Sequence, residues 1–131
     1  MKMWSNWLAK AERFRRYAKE DLEKGRFDSA AFYSHQSVEL LLKAFLIKLT
    51  GARPLTRSTS ELLAILSRAL DGRIPESVIR CSEELEQHYV QARYPDARIS
   101  EYRRWEAERA IECMEVIWSY VQGYNLTGWR D

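Results

Sequence analysis

The sequence predicts an all-α protein, an up-and-down helical bundle of about five helices. Apolar side chains recur at helical spacing along five segments. The chain of 131 residues has only 5 Gly and 3 Pro, which leaves few of the turns that many short strands would need. Short polar segments join the helices and favour antiparallel neighbours. The length is typical of one domain, so residues 1–131 are expected to form a single unit.

The five predicted helices cover residues 4–24, 28–50, 60–70, 75–92 and 100–121. Three glycines follow apolar segments, where glycine favours a helix end: Gly25, Gly51 and Gly123. Asp28 is predicted to cap the second helix, and Ser58 or Ser60 the third. Pro75 suits the first turn of the fourth helix.

The second predicted helix is apolar in almost every direction around its axis. A helix of this kind is surrounded by other helices, so we expect it at the centre of the bundle. The last helix has an apolar stripe expected to face inward, made of Tyr102, Trp105, Ala110, Cys113, Met114, Ile117, Trp118 and Val121.

Composition argues against several classes of protein. The net charge of +2 is too small to indicate a nucleic-acid partner by itself. Cys81 and Cys113 are far apart and do not form a zinc motif with only two histidines, so we expect two reduced core thiols, no metal site and no cofactor. No secretion signal is visible, and the most apolar segment, residues 40–49, contains two lysines and is too short to cross a bilayer. We therefore predict a cytoplasmic protein without a membrane segment.

One polar stripe interrupts the apolar surface of the second helix. His35, Glu39 and Lys43 follow one another at spacings of four residues, with Gln36 beside them. Side chains at this spacing contact one another on a helix. The stripe is either an internal network that fixes helix packing or a polar cleft that binds a phosphate or a base. A catalytic His35 is less favoured, because no serine, cysteine or second acid accompanies it in a recognisable arrangement.

A second polar group is the segment Arg93-Tyr94-Pro95-Asp96, where Pro95 prevents the fourth helix from continuing. Arg93 can form a bidentate pair with Glu39, which would lock the loop to the central helix. Alternatively, Arg93 binds a phosphate, for which the planar guanidinium is well suited.

Basic residues form two further clusters, one on the first helix and one beside the loop. Aromatic residues alternate with the second cluster, a combination that single-stranded RNA or a nucleotide would use. The other interpretation is a solvated helix face with glutamates as salt partners. The clusters consist of Arg13, Arg15, Arg16 and Lys19, and of Arg98, Arg103, Arg104 and Arg109.

Three features together resemble the HEPN domain, the nucleotide-binding domain of higher eukaryotes and prokaryotes, in its branch with an RYP-type loop. The first is a Trp-led amphipathic helix followed by GRFDSAAF at residues 25–32. The second is QSVELLLKA at residues 36–44, and the third is Tyr89 leading into residues 93–96. The resemblance covers most of the chain.

The resemblance implies a bundle of about five helices, often a homodimer. It also implies a minimal nucleotidyltransferase as a partner, in many cases within a toxin–antitoxin system, or the binding of nucleotides. The positions that match the family are Glu39, Lys43, Arg93, Tyr94 and Asp96. Together with His35, Arg103 and Arg104 they are the candidate ligand-binding residues.

The chain departs from the active ribonucleases of that family, which resemble one another in an Arg, four to six residues, then His. Its only histidines are His35 and His88, and the nearest upstream arginines, Arg26 and Arg80, lie too far back. We therefore assign no catalytic residue. The hypothesis is a non-catalytic nucleotide-binding and dimerisation module that partners a minimal nucleotidyltransferase. The alternatives are a divergent ribonuclease that acts on RNA, using His35, Arg93 and the basic residues, and a pure helical scaffold.

The tryptophans predict a homodimer. The chain has five, and Trp4, Trp7 and Trp129 lie near its two ends. This number exceeds what a small core readily buries, and large exposed apolar surface usually marks an interface.

Overall fold

The computed structural model describes residues 3–124. Their helices are α1 (Met3–Glu23), α2 (Phe27–Thr50), α3 (Thr59–Leu70), α4 (Glu76–Glu86), the single turn α5 (His88–Gln91) and α6 (Arg104–Gln122). The all-helical bundle of about five main helices is as the sequence predicts, and no strand occurs within this range.

Helix α2 lies at the centre of the bundle, as its apolar pattern predicts. It packs against α1, α3, α4, α5 and α6, and most of its side chains from Ala30 to Ile47 are buried. Gly51 ends it with a φ of 80°, a left-handed conformation that glycine adopts readily, and donates its N–H to the carbonyl of Ile47.

A buried hydrogen-bond chain ties three helices together inside the core. The indole Nε1–H of Trp118 on α6 donates to Ser37 Oγ on α2 at 2.9 Å, and the Ser37 hydroxyl donates to the carbonyl of Ala11 on α1 at 2.8 Å. The Trp118 side chain is fully buried. The central helix is thus fixed against both neighbours by polar as well as apolar contacts.

One helix cap and two helix boundaries differ from the prediction. Asp28 does not cap α2, because the helix already begins at Phe27; its carboxylate accepts the N–H of Ser29 instead. The predicted fourth helix is divided at Gln87, where the side chains on either side are held by different neighbours. Glu86 on one side binds serines at the start of α3, and His88 on the other binds Tyr102.

The last helix begins at Arg104 and not at Ser100. The Arg98 side chain donates to the carbonyl and the hydroxyl of Ser100 and to both carboxylate oxygens of Glu106, so the segment before α6 is held in a loop. Glu106 also accepts the N–H of Arg103 at 2.9 Å, which satisfies one of the free donors at the start of the helix. Ser58, as predicted, caps α3.

Two expectations about tryptophans are wrong. Trp105 is 65% exposed, because it precedes the core residue Met114 by nine residues, two and a half helical turns, and so lies on the opposite face of α6. Trp4 is buried within the chain itself and therefore does not supply exposed surface for a dimer. Trp129 lies outside the described residues.

Cys81 and Cys113 are free and buried, as predicted. Within residues 3–124 no group of three or more His, Cys, Asp or Glu side chains is placed to hold a metal ion. No helix in that range is long and apolar enough to cross a membrane.

Candidate functional site

A cleft of about 650 Å³ lies between the α1–α2 turn and the segment that joins α5 to α6. One wall is the turn that begins α2, and the other contains Arg93 and Tyr94 of the predicted loop. Aromatic, cationic and acidic side chains all face it. The lining residues are Gly25, Phe27, Asp28, Gln91, Ala92, Arg93, Tyr94, Pro95, Arg98, Ile99, Ser100, Glu101 and Tyr102.

Tyr102 connects the cleft to the interior. Its hydroxyl lies 2.7 Å from Nδ1 of the buried His88, and the Arg98 guanidinium carbon lies 4.1 Å from the centre of its ring. Burial lowers the pKa of His88 to about 4, so the imidazole is neutral near pH 7 and its Nδ1 can accept the Tyr102 proton. Burial also raises the pKa of Tyr102. Tyr102 therefore lines the cleft as a neutral side chain whose hydroxyl is held by His88.

The two cleft arginines differ in how their charges are compensated. Arg98 is paired with Glu106, at 2.8 Å and 3.0 Å from its two carboxylate oxygens, and serves to hold the loop. Arg93 instead lies against three aromatic rings, with its guanidinium carbon 4.8 Å from the centre of Tyr89, 5.0 Å from Tyr94 and 5.9 Å from Phe32.

No carboxylate within residues 3–124 forms a salt bridge with Arg93. The Arg93 residue is exposed. Aromatic faces attract a guanidinium without neutralising its charge. Arg93 is therefore available to an anion that enters the cleft.

The predicted pair between Arg93 and Glu39 does not form. Lys43, one turn along α2, donates to Glu39 at 2.9 Å, Gln36 donates at 3.3 Å, and Arg57 from the α2–α3 loop approaches to 3.7 Å. Only 3% of the Glu39 side chain and 5% of the Lys43 side chain are exposed. The carboxylate is satisfied inside the bundle by these nearer donors, so the stripe forms an internal network of which Arg93 is not part.

His35 belongs to the same internal network. Its side chain is fully buried, its Nε2 lies 3.2 Å from the carbonyl oxygen of Arg57, and its Nδ1 lies 3.1 Å from the Gln36 amide nitrogen. Because a carbonyl oxygen only accepts, Nε2 carries the proton and donates, while Nδ1 accepts from Gln36. Burial lowers the pKa of His35, which keeps this neutral form. Both ring nitrogens are occupied, which leaves neither free to move a proton.

Tyr89 brings the internal network and the cleft together. Its ring centre lies 5.6 Å from that of His35 and is also contacted by Arg57, whose guanidinium carbon lies at 5.2 Å, and by Arg93. The polar stripe of α2 and the Arg93 segment thus contact the same aromatic ring, and no ion pair joins Arg93 to Glu39.

The remaining candidates lie at or outside the rim of the cleft. Tyr94 lines it and is half exposed. Arg104 lies over Phe27, with its guanidinium carbon 5.1 Å from the ring centre of that cleft residue. Asp96 and Arg103 are exposed and do not line the cleft. In the cluster on α1, Arg15 and Lys19 are paired with Glu115.

Sequence reasoning missed Phe27, Tyr89 and Arg57 as site residues. Phe27 and Tyr89 stood within the segments that carry the family resemblance, so their contribution could have been inferred from that pattern. Arg57 had no such signal, because its approach to Glu39 and Tyr89 depends on how the α2–α3 loop folds over α2.

Both the sequence and the fold of this chain are similar to those of known proteins. The family model of the HEPN domain matches residues 4–124. The protein TT1696 from Thermus thermophilus superposes with a TM-score of 0.85 at 30% identity, over 94% of this chain and 98% of that one. ST0689, an archaeal HEPN homologue, gives 0.74 at 27% identity, over 94% and 98%. A HEPN domain protein from Thermotoga maritima, tm0613, gives 0.71 at 29%, over 90% and 95%. No curated protein matches the sequence.

Proposed function

This chain belongs to the HEPN domain family, and from that premise we propose that it is a non-catalytic nucleotide-binding and dimerisation module of the branch with an RYP-type loop. The observation that supports nucleotide binding is the cleft around Arg93. The guanidinium lies there without a carboxylate partner in the described part of the chain. Phe27, Tyr94 and Tyr102 offer ring faces on which a base can stack, and Arg93 suits a phosphate.

The proposal that the chain is non-catalytic rests on the burial and hydrogen bonding of its two histidines. His35 is fully buried with both ring nitrogens engaged, and His88 is buried with a pKa lowered to about 4. Neither lines the cleft. A ribonuclease needs a general acid or base within reach of its substrate, so the alternative of a divergent ribonuclease around His35 and Arg93 is disfavoured.

Dimerisation is proposed through the segment around the cleft. Exposed large apolar side chains concentrate there, and Trp105 is the most exposed tryptophan of residues 3–124. Ile99 is fully exposed, and Val90 is about half exposed. Apolar surface of this kind usually marks contact with another protein.

The proposal extends to the setting of the module. Membership of the family supports a cytoplasmic protein that works with a minimal nucleotidyltransferase, in a toxin–antitoxin type of system. The net charge of +2 and the paired cations of α1 fit a single nucleotide better than a long nucleic acid.

Two measurements on the purified full chain test the proposal. Titration calorimetry with AMP, GMP, CMP and UMP should show saturable binding of at least one nucleotide. Incubation with a mixed RNA should give no degradation above a heat-treated control. Absence of binding to all four would leave the helical scaffold as the better account, and cleavage that disappears in His35→Ala would establish the ribonuclease instead.

A further inference from the structure

Two exposed arginines lie against the same aromatic ring. The Tyr89 ring centre is 5.2 Å from the guanidinium carbon of Arg57 and 4.8 Å from that of Arg93. The two guanidinium groups are therefore no more than 10 Å apart. They come from different parts of the fold, the α2–α3 loop and the end of α5, so the folded bundle alone brings them together.

The nearby carboxylates Glu39 and Glu86 make their shorter contacts with other groups. Arg57 is 3.7 Å from Glu39, whereas Lys43 is 2.9 Å from the same carboxylate. The Arg57 side chain is 58% exposed. Glu86 accepts hydrogen bonds from the hydroxyls of Ser58 and Ser60 and from the Ser60 N–H.

The cations of this group share one salt-bridged carboxylate. Lys43 and Arg57 both approach Glu39, and no carboxylate in residues 3–124 forms a salt bridge with Arg93. His35, between α2 and Tyr89, is neutral because its Nε2 donates to a carbonyl and its Nδ1 accepts from an amide.

The pair reaches the cleft through Arg93, whereas Arg57 and Tyr89 are not among the residues that line it. Arg93 lines the cleft, and its guanidinium also lies against Tyr89, on which Arg57 rests. An anion that begins in the cleft would meet Arg93 first and then, past Tyr89, Arg57. Two separate cations suit a chain of phosphates better than a single one, because each guanidinium can form its own paired hydrogen bonds to phosphate oxygens.

We propose that Arg57 and Arg93 form a clamp across Tyr89 that binds the polyphosphate chain of a nucleoside diphosphate or triphosphate, with the base and ribose in the cleft. This inference rests on the proposed function and adds a preference among nucleotides. A monophosphate reaches Arg93 alone, whereas the terminal phosphates of a triphosphate also reach Arg57. The protein should then bind ATP more tightly than AMP.

The test is titration calorimetry of AMP, ATP and inorganic tripolyphosphate with the wild-type chain, Arg57→Gln and Arg53→Gln. Arg53 is the matched control, because it lies in the same loop with its guanidinium against a different ring, that of Trp7. Arg57→Gln should weaken ATP and tripolyphosphate about tenfold or more, since charge-assisted hydrogen bonds are lost, and leave AMP within about twofold. Arg53→Gln should leave all three within about twofold.

The outcomes separate the clamp from the proposed function. Unchanged ATP binding in Arg57→Gln, or an equal loss in Arg53→Gln, overturns the clamp, and retained AMP binding then leaves the cleft intact. A third outcome is that tripolyphosphate binds through Arg57 and AMP does not bind. This result supports the cation pair and overturns the nucleotide as its ligand. No binding of any of the three to the wild-type chain overturns both. Arg57→Lys keeps the charge and should retain more ATP affinity than Arg57→Gln. It is the second variant of the test in case the glutamine variant folds poorly.

Discussion

The guanidinium carbon of Arg93 lies 4.8 Å from the centre of the Tyr89 ring, and its charge is not neutralised by Glu39 of the central helix. This relationship divides the polar residues of the chain into two groups with different roles. Glu39 and Lys43 form a buried pair that belongs to the architecture. Arg93 is exposed at the cleft and is held by ring faces that leave it free to bind an anion.

Replacing Arg93 should cost little stability. Arg93→Ala removes contacts between an exposed cation and aromatic rings, which are worth about 0.5–1 kcal/mol at such sites. Thermal melts and urea unfolding should therefore show a loss of about 1 kcal/mol or less, a shift of a few degrees in Tm. A loss of several kcal/mol would mean that Arg93 locks the loop structurally after all.

Replacing Glu39 should cost much more. Glu39→Gln leaves the Lys43 ammonium buried without its carboxylate, and breaking such a pair destabilises by about 3–5 kcal/mol. The double variant Glu39→Gln with Lys43→Met should lose less than the sum of the single changes, because contacting residues are not additive. Arg57→Gln is the control, since it removes an exposed partner of the same carboxylate and should cost about 1 kcal/mol or less. Additive losses in urea unfolding would contradict the pair.

Acid should begin to destabilise the protein below about pH 6.5, before its carboxylates titrate. Burial lowers the pKa of His88 from 6.5 to about 4, so the unfolded chain binds a proton there that the folded chain does not. Stability is then full above pH 6.5 and falls as the pH decreases toward 4, by about 3 kcal/mol for this group. His35, whose pKa burial also lowers, adds in the same direction.

The variant His88→Gln checks this assignment. The glutamine amide can bond to the Tyr102 hydroxyl in place of Nδ1, either as donor or as acceptor, but it does not titrate. The unfolding free energy of His88→Gln should therefore vary less than that of the wild type between pH 6.5 and 5. Below about pH 4.5 both proteins should lose stability together, because folding lowers the pKa values of Glu84, Glu86 and Glu115 and the unfolded chain therefore takes up protons there that the folded chain does not. Identical slopes above pH 5 would exclude His88 as the source.

The proposed dimer should depend on Trp105. Trp105→Glu places a charge on an exposed apolar side chain of α6 and should convert the dimer to a monomer in sedimentation velocity at micromolar protein. Ile79→Glu is the control, because Ile79 is an exposed side chain of α4 that does not line the cleft. A wild-type chain that sediments only as a monomer, or a dimer that persists in Trp105→Glu, would contradict this interface.

Helix boundaries in the first half of the chain were predictable because local signals set them. α1, α2 and α3 begin and end within one residue of the predicted positions, since glycines and a serine cap stand where the apolar pattern stops. The start of α6 was not predictable in this way. It depends on Arg98 reaching across eight residues to Glu106, which no periodicity contains.

Two residues of the cleft, Arg93 and Tyr94, were named from the sequence, and their pairings were not. Arg93 and Tyr94 do line a cleft, but Arg57 and not Arg93 approaches Glu39 from a loop. Several arginines were chemically equal candidates for that carboxylate, and only the path of the α2–α3 loop decides among them. Trp105 is a different case, because its spacing from Met114 already placed it on the outer face of α6.

The central claim is that the cleft binds a nucleotide through Arg93, and AMP affinity measures it most directly. Titration calorimetry should compare the wild-type chain with Arg93→Gln and with Arg103→Gln, an exposed arginine of the same region that does not line the cleft. The account predicts that Arg93→Gln raises the Kd for AMP about tenfold or more, while Arg103→Gln leaves it within about twofold. An unchanged Kd in Arg93→Gln, or the same loss in both variants, would contradict it.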